Sequence, residues 1–407
     1  MKFKLVGGKN DKFKLIGKDI VDFINNSNND DIINNLITII KNDKYCEKVL
    51  GEGISGKAVV PSVNKKMKVY VNNDKKIKLP IIVKYEKVKN DLEFNIIDNK
   101  LYISTKDSLL TEIIILSYTN QLWYNKKSLH IPFMLGYSLC EKNLLITERH
   151  GLKNNLELDQ SKYFQESALW NDRKNEYHIV KTNVLSNLMK YIYHNIDKDY
   201  NIILPNDVKC NVIEFIDYLC ISYLHTQLLF INNNISVTDT HLNNIFIHYL
   251  NKRSYISDQY IGDIEYIIYK YNDKMIKIKT FGILLKIGDL GTSIIQPKED
   301  IIIVGQGYNI KDNYKIIDIM KRQNQVVLLF LYIMKNELTY DIFSKAIISK
   351  LFNIHPYNKI HYLRYTQPND LLNDFLSIEE ILDLYYEKYK INKLDNDNNN
   401  TFIQYDK

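Results

Sequence analysis

The chain has 407 residues, 45% hydrophobic and 25% charged, enough apolar material for two lobes with sizeable cores and outside the range of low-complexity chains. Its charge, 54 Lys and Arg against 48 Asp and Glu, leaves a net +6 spread too diffusely for specific nucleic-acid binding, though it favours an approaching anion. Cys46, Cys140, Cys210 and Cys220 show no metal spacing and read as reduced thiols of an intracellular, cytoplasmic protein, and neither a signal-peptide run at Met1-Lys2-Phe3-Lys4 nor a membrane-length apolar run is present.

Residues 1–45 form an N-terminal extension with a short echo, Lys2 to Gly7 and Lys12 to Gly17, and a helical pattern over 30–41. Residues 46–150 read as a β-rich lobe: alternation at 68–71, a turn at 72–74, one strand over 77–85, and a later strand over 144–148. Within it, 107–124 predicts a helix, with Leu110, Ile113, Ile114 and Ser117 on one face and Asp107 or Ser108 as cap. From about 152 to 391 the pattern is mainly helical, and 211–230 predicts an amphipathic helix. A turn at Asn232-Asn233-Asn234 and a strand at 245–247 follow, then an inserted hairpin over about 250–283 and a strand over 284–287. The Asn/Asp-rich tail, 392–407, is expected to be disordered. These elements predict an α+β chain of two lobes, β-rich then helical, with loops forming a cleft between them.

Three motifs carry chemistry. Gly51, Gly53 and Gly56 fit G-x-G-x-x-G, where missing side chains let backbone N–H groups approach phosphates. The same stretch also reads as a plain β-turn, or as a P-loop made defective by Ala58, which cannot hold magnesium where Ser or Thr is needed. Asp239-Thr240-His241-Leu242-Asn243-Asn244 lies between a long helix and a strand; its alternative reading is an Asx-rich turn. Asp239 can accept a hydrogen bond from an attacking hydroxyl, and Asn244 can ligate a cation. Asp289-Leu290-Gly291 follows an apolar strand, which suits a carboxylate that holds a metal among phosphates, or a simple strand-end turn. Lys84 ends the apolar run Ile81-Ile82-Val83, with Lys78 and Lys87 as rivals, and Glu112 lies well inside the next helix.

In this order the motifs resemble the eukaryotic-type protein-kinase superfamily over residues 45–345, and the insertion before Asp289 is similar to that of kinases from large DNA viruses. The AT-biased composition, heavy in Ile, Asn, Lys and 31 Tyr, is consistent with a viral protein acting in the host cytoplasm or virion. The resemblance implies a Ser/Thr protein kinase that uses ATP and Mg2+. Asp239 would be the catalytic base, and Asn244 and Asp289 the metal ligands. Lys84 and Glu112 would be the ion pair that positions ATP under Gly51, Gly53 and Gly56. The adenine would be received near Thr147, Glu148, Arg149 and His150.

Two departures bear on the substrate. Val237-Thr238 replaces the family's His-Arg before the base, so a phosphorylated activation segment has no arginine partner, and activity independent of such phosphorylation is expected. No Ala-Pro-Glu follows, and the Asp-x-His-x-x-Asn form is also similar to small-molecule phosphotransferases of the aminoglycoside and choline kinase type. A non-catalytic scaffold is the third reading.

Overall fold

The computed structural model describes residues 4–5, 58–59, 67–71, 75–79, 81–87, 92–105, 108–124, 127–132, 134–138, 142–148, 157–159, 179–181, 184–250, 255–256, 259–260, 264–309, 311, 316, 320, 323–336, 338, 340–354, 376–392 and 401–405. They form a mixed α+β structure. The elements that position the site are β1 (Ile81–Lys87), β2 (Leu92–Ile97), β3 (Lys100–Thr105), α1 (Ser108–Tyr124) and β4 (Lys142–Glu148). Then come α2 (Val212–Asn232), β5 (Ile235–Ser236), β6 (Ile245–Tyr249), β7 (Tyr266–Tyr271), β8 (Lys274–Lys279) and β9 (Ile283–Ile287). Last are β10 (Ile294–Lys298), β11 (Ile301–Val304), α3 (Ile378–Tyr389) and β12 (Thr401–Tyr405).

A four-stranded antiparallel sheet runs in the order Ala58–Val59, β1, β4 and Met134–Ser138. The expected single strand over 77–85 is two strands, Lys75–Leu79 and β1, which belong to different sheets, and the sequence has Pro80 between them. Proline has no N–H to continue a ladder. A second, five-stranded sheet has the order β5-β10-β11-β3-β2 and includes the parallel pair β11 and β3, with Ile301 opposite Leu101. Helix α1 packs on β4 and on the turn after Asp289.

Helix α2 departs from the amphipathic expectation: every residue from Phe215 to Phe230 is buried. Helix α3, β9 and the helices Gln323–Asn336 and Tyr340–Lys345 surround it on several sides. Two of its interior hydroxyls are satisfied locally, since Ser222 and Thr226 each donate to the carbonyl four residues back, at 2.7 Å. Asn211 caps its start by accepting from Ile213 N–H at 3.1 Å. The buried Asp217 carboxylate accepts from Lys388 (3.0 Å) and Tyr389 (2.8 Å), which ties α2 to α3.

The expected hairpin is present as β7 and β8 around Asn272-Asp273. Two other expectations need correction. Residues 401–405 are a strand, not disordered tail: β12 pairs in parallel along β7, because a Thr-Phe-Ile-Gln-Tyr run suits a free sheet edge. Within the nominally helical part, Glu157–Asp159 and Ile179–Lys181 form a small antiparallel pair. The helical reading of 30–41 lies outside the described residues. No described helix is long and apolar enough to cross a membrane.

Candidate functional site

Strands β6 and β9 pair antiparallel from Ile245 opposite Ile287 to Tyr249 opposite Ile283. The register continues one step past the strand ends, where Gly288 N–H donates to the Asn244 carbonyl at 2.9 Å. This is the main geometric fact of the site: one ladder end brings together the loop 239–244 and the segment that starts at Asp289. A Cβ at 288 would lie 2.1 Å from the Phe246 ring, so a side chain there would force that ring to move.

The loop closes on itself. The Asn244 side-chain amide donates from Nδ2 to the Asp239 carbonyl at 2.9 Å, which leaves Oδ1 as its remaining polar atom. His241 caps the 3-10 turn Leu242–Asn244, with Nδ1 accepting from Asn243 N–H at 3.2 Å. That hydrogen bond puts the imidazole proton on Nε2, which lies 3.7 Å from Asp239 Oδ1. Asn244 is buried, whereas Asp239 and His241 are half-exposed. The loop therefore offers one carboxylate to solvent from a fixed backbone.

Asp289 sits in the left-handed region (φ 53°, ψ 58°) at the start of the turn Leu290–Thr292. That conformation costs a residue with a Cβ about 1–2 kcal/mol, and such strain clusters at functional sites. The turn is held from two directions. At Gly291 a Cβ would lie 2.5 Å from Ser108 Cβ and 2.8 Å from its carbonyl oxygen, so only glycine lets the turn abut the first residue of α1. Behind it, Gly305 N–H donates to the Ser293 carbonyl (2.9 Å) and Gln306 N–H to that of Gly291 (3.0 Å).

A buried network not expected from the sequence fixes β9. His130 Nδ1 donates to the Leu285 carbonyl at 3.0 Å, and Nε2 accepts from the Tyr269 hydroxyl at 2.7 Å. Ile287 N–H donates to the His130 carbonyl at 2.8 Å, and the buried Lys286 ammonium donates to the Ile131 carbonyl at 3.2 Å. Burial pulls the His130 pKa down to about 3, with the Leu285 carbonyl opposing and the nearby Lys286 and His225 charges assisting, so the ring is neutral. Segment 128–131 thus runs along the strand that delivers Asp289. The only sequence signal was a lone histidine in an apolar stretch.

Of the residues singled out from sequence, Asp239, Asn244 and Asp289 meet at one ladder end. Glu112 is buried on α1, whose first turn abuts Gly291. Lys84 is placed by its backbone in β1, opposite Ala58 on one side and Leu145 of β4 on the other. Glu148 pairs with Ile81 at the end of β4. The side chains of Lys84 and Glu148, and the whole of Gly51, Gly53, Gly56 and His150, lie outside the described residues. Among the described residues no group of three or more His, Cys, Asp and Glu could hold a metal. What Asn244 and Asp289 do offer is an amide oxygen and a carboxylate, hard donors that suit a magnesium ion completed by water and phosphate oxygens. No family model and no curated protein matches the chain.

Proposed function

We propose that this chain transfers the γ-phosphoryl group of ATP to Ser or Thr hydroxyls of proteins. The observation that carries the reading is the Asn244–Gly288 hydrogen bond at the end of the β6–β9 ladder, which supports one site made of Asp239, Asn244 and Asp289. Asn244 Oδ1 and the Asp289 carboxylate would hold magnesium, which supplies charge neutralisation to the phosphates when bound. The half-exposed Asp239 carboxylate can accept a hydrogen bond from the acceptor hydroxyl and orient it, while Asn244 Nδ2 fixes the backbone beneath it. Strand Ala58–Val59 lies beside β1, with Ala58 opposite Lys84. Helix α1 packs on β4, the other neighbour of β1, and carries Glu112 over the same sheet.

A second reading, transfer to a small-molecule hydroxyl, is favoured by His241, which stands 3.7 Å from Asp239 where the protein-kinase pattern has a lysine.

The test is calorimetric titration of ATP with and without magnesium, on the wild type and on Asp289→Asn. Magnesium-dependent binding, lost at least tenfold in the variant, is expected when a metal-ligand carboxylate is removed. Binding that is absent under both conditions, or indifferent to Asp289, would overturn the reading.

A further inference from the structure

We propose that the outer edge of β2 binds an extended peptide segment, which adds a strand to the five-stranded sheet and sets a Lys or Arg side chain beside Glu93 in the cavity next to β2. The proposal does not rest on the phosphoryl-transfer reading.

Strand β2 ends the sheet order β5-β10-β11-β3-β2, and among the described residues no strand pairs with its far side. It joins β3 through the two-residue turn Asp98-Asn99, both at positive φ (50° and 61°), with Ile97 opposite Lys100. In such a hairpin the residues flanking the turn exchange N–H···O bonds, and bonded pairs then alternate along the ladder. Ile97, Asn95 and Glu93 therefore aim their backbone groups at β3, whereas Ile96 and Phe94 aim theirs outward. Ile96 is 67% exposed, so the edge is accessible to an incoming chain.

Side chains alternate across the strand as well. Glu93 and Asn95 share a face with their partners Ser104 and Tyr102, and Val304, opposite Ser104, continues that face on β11. Tyr308 packs there against the buried cluster of Tyr102, Ile302 and Val304, so the segment after β11 forms a wall over the middle of the sheet. That wall and the β2–β3 pair line a cavity of about 830 Å³, with Glu93, Asn95 and Ser104 from the sheet and Tyr308, Asn309 and Lys311 from the wall. Ser104 is buried, while Glu93, Asn309 and Lys311 are exposed at the rim. The volume is that of a site which encloses most of a ligand.

A strand added beside β2 sends every second side chain to this face. The position next to Glu93 favours a cation, because opposite charges on neighbouring strands attract. The intervening side chains fall on the other face, beside the exposed Ile96, where apolar groups fit. Main-chain pairing then supplies affinity and the alternate side chains supply selectivity.

The test is fluorescence anisotropy of the full chain with a labelled decapeptide of alternating lysine and valine, beside the same peptide with glutamate for lysine. The lysine probe is expected to bind about fivefold more tightly, and Glu93→Lys should reverse that order. Two further probes are N-methylated on the lysine amides or on the valine amides. Only one set faces β2, so one methylated probe should lose at least tenfold and the other little. Ile96→Pro removes an outward N–H, which an edge strand tolerates, and should also cost at least tenfold. No binding of the lysine probe, equal loss from both methylations, or an unchanged preference in Glu93→Lys would overturn the proposal. So would a concentration-dependent dimer that Ile96→Pro abolishes, which would give the edge to a second copy of the chain. If Ile96→Pro does not fold, the methylated probes decide.

Discussion

Replacing Gly305 by alanine tests how tightly the segment after Asp289 is held. A Cβ at 305 would lie 2.5 Å from the Gly291 carbonyl oxygen, 2.6 Å from the Thr292 carbonyl carbon and 2.7 Å from the Ser293 carbonyl oxygen. All three are backbone atoms, so no side-chain rotation relieves the contact. Either the 291–293 turn shifts or β11 retreats, and retreat breaks the Gly305–Ser293 and Gln306–Gly291 hydrogen bonds. Overpacking costs about 1–3 kcal/mol and each of the two lost hydrogen bonds about 1, for a total of about 3–5 kcal/mol. Gly307→Ala is the control: nothing lies within 4 Å of a Cβ there, but φ is +96°. Only conformational strain remains, on the order of 1–2 kcal/mol. Urea unfolding followed by circular dichroism measures both. A Gly305→Ala cost no greater than that of Gly307→Ala would refute the claim that close backbone approach, rather than glycine's conformational freedom, is what position 305 requires.

His130 should make the protein acid-sensitive. Its folded pKa of about 3 lies below the usual 6.5, so its contribution is complete above pH 6.5 and is lost as pH falls toward 3. Between pH 6.5 and 5 the loss is about 2 kcal/mol, and His130→Gln should flatten that slope in urea titrations; an equal slope in the variant would refute this. Asp217 behaves in the opposite sense: burial raises its pKa, against the opposing hydrogen bonds from Lys388 and Tyr389. Lys388→Met leaves a buried carboxylate short of a partner and should cost about 3 kcal/mol at pH 7, more than Asp217→Asn. The Lys388→Met penalty should shrink as acid protonates Asp217, and a penalty that grows in acid would contradict the account. Asn244→Ala frees the Asp239 carbonyl and would remove one of the two proposed metal donors. It should weaken magnesium-dependent ATP binding about tenfold or more in the same calorimetric titration, with a change of less than twofold as the contrary result.

What was legible in the sequence was local. Helix α1, the β7–β8 hairpin around Asn272-Asp273, and the strand running into Asp289 follow from periodicity and turn residues within a few positions of one another. The Asp239-to-Asn244 spacing likewise marked a loop that does close by a side-chain hydrogen bond. What was not legible depends on distant partners. Ile301–Val304 pairs with a strand 200 residues earlier, and β12 pairs with β7, which no local pattern encodes. The polar side of α2 looked solvent-facing because spacing reports what one helix offers, not what later helices cover. His130 carries no spacing signal, since it gains its role from groups brought close only by the folded sheets.

The most direct test of the account is transfer of labelled γ-phosphate from ATP, with magnesium, to generic acidic and basic protein acceptors, wild type beside Asp239→Ala. The account predicts label on Ser or Thr, reduced on the order of a hundredfold or more in the variant. Full transfer by Asp239→Ala would remove Asp239 as the base. No transfer by a folded wild type that also fails to bind ATP would contradict phosphoryl transfer altogether.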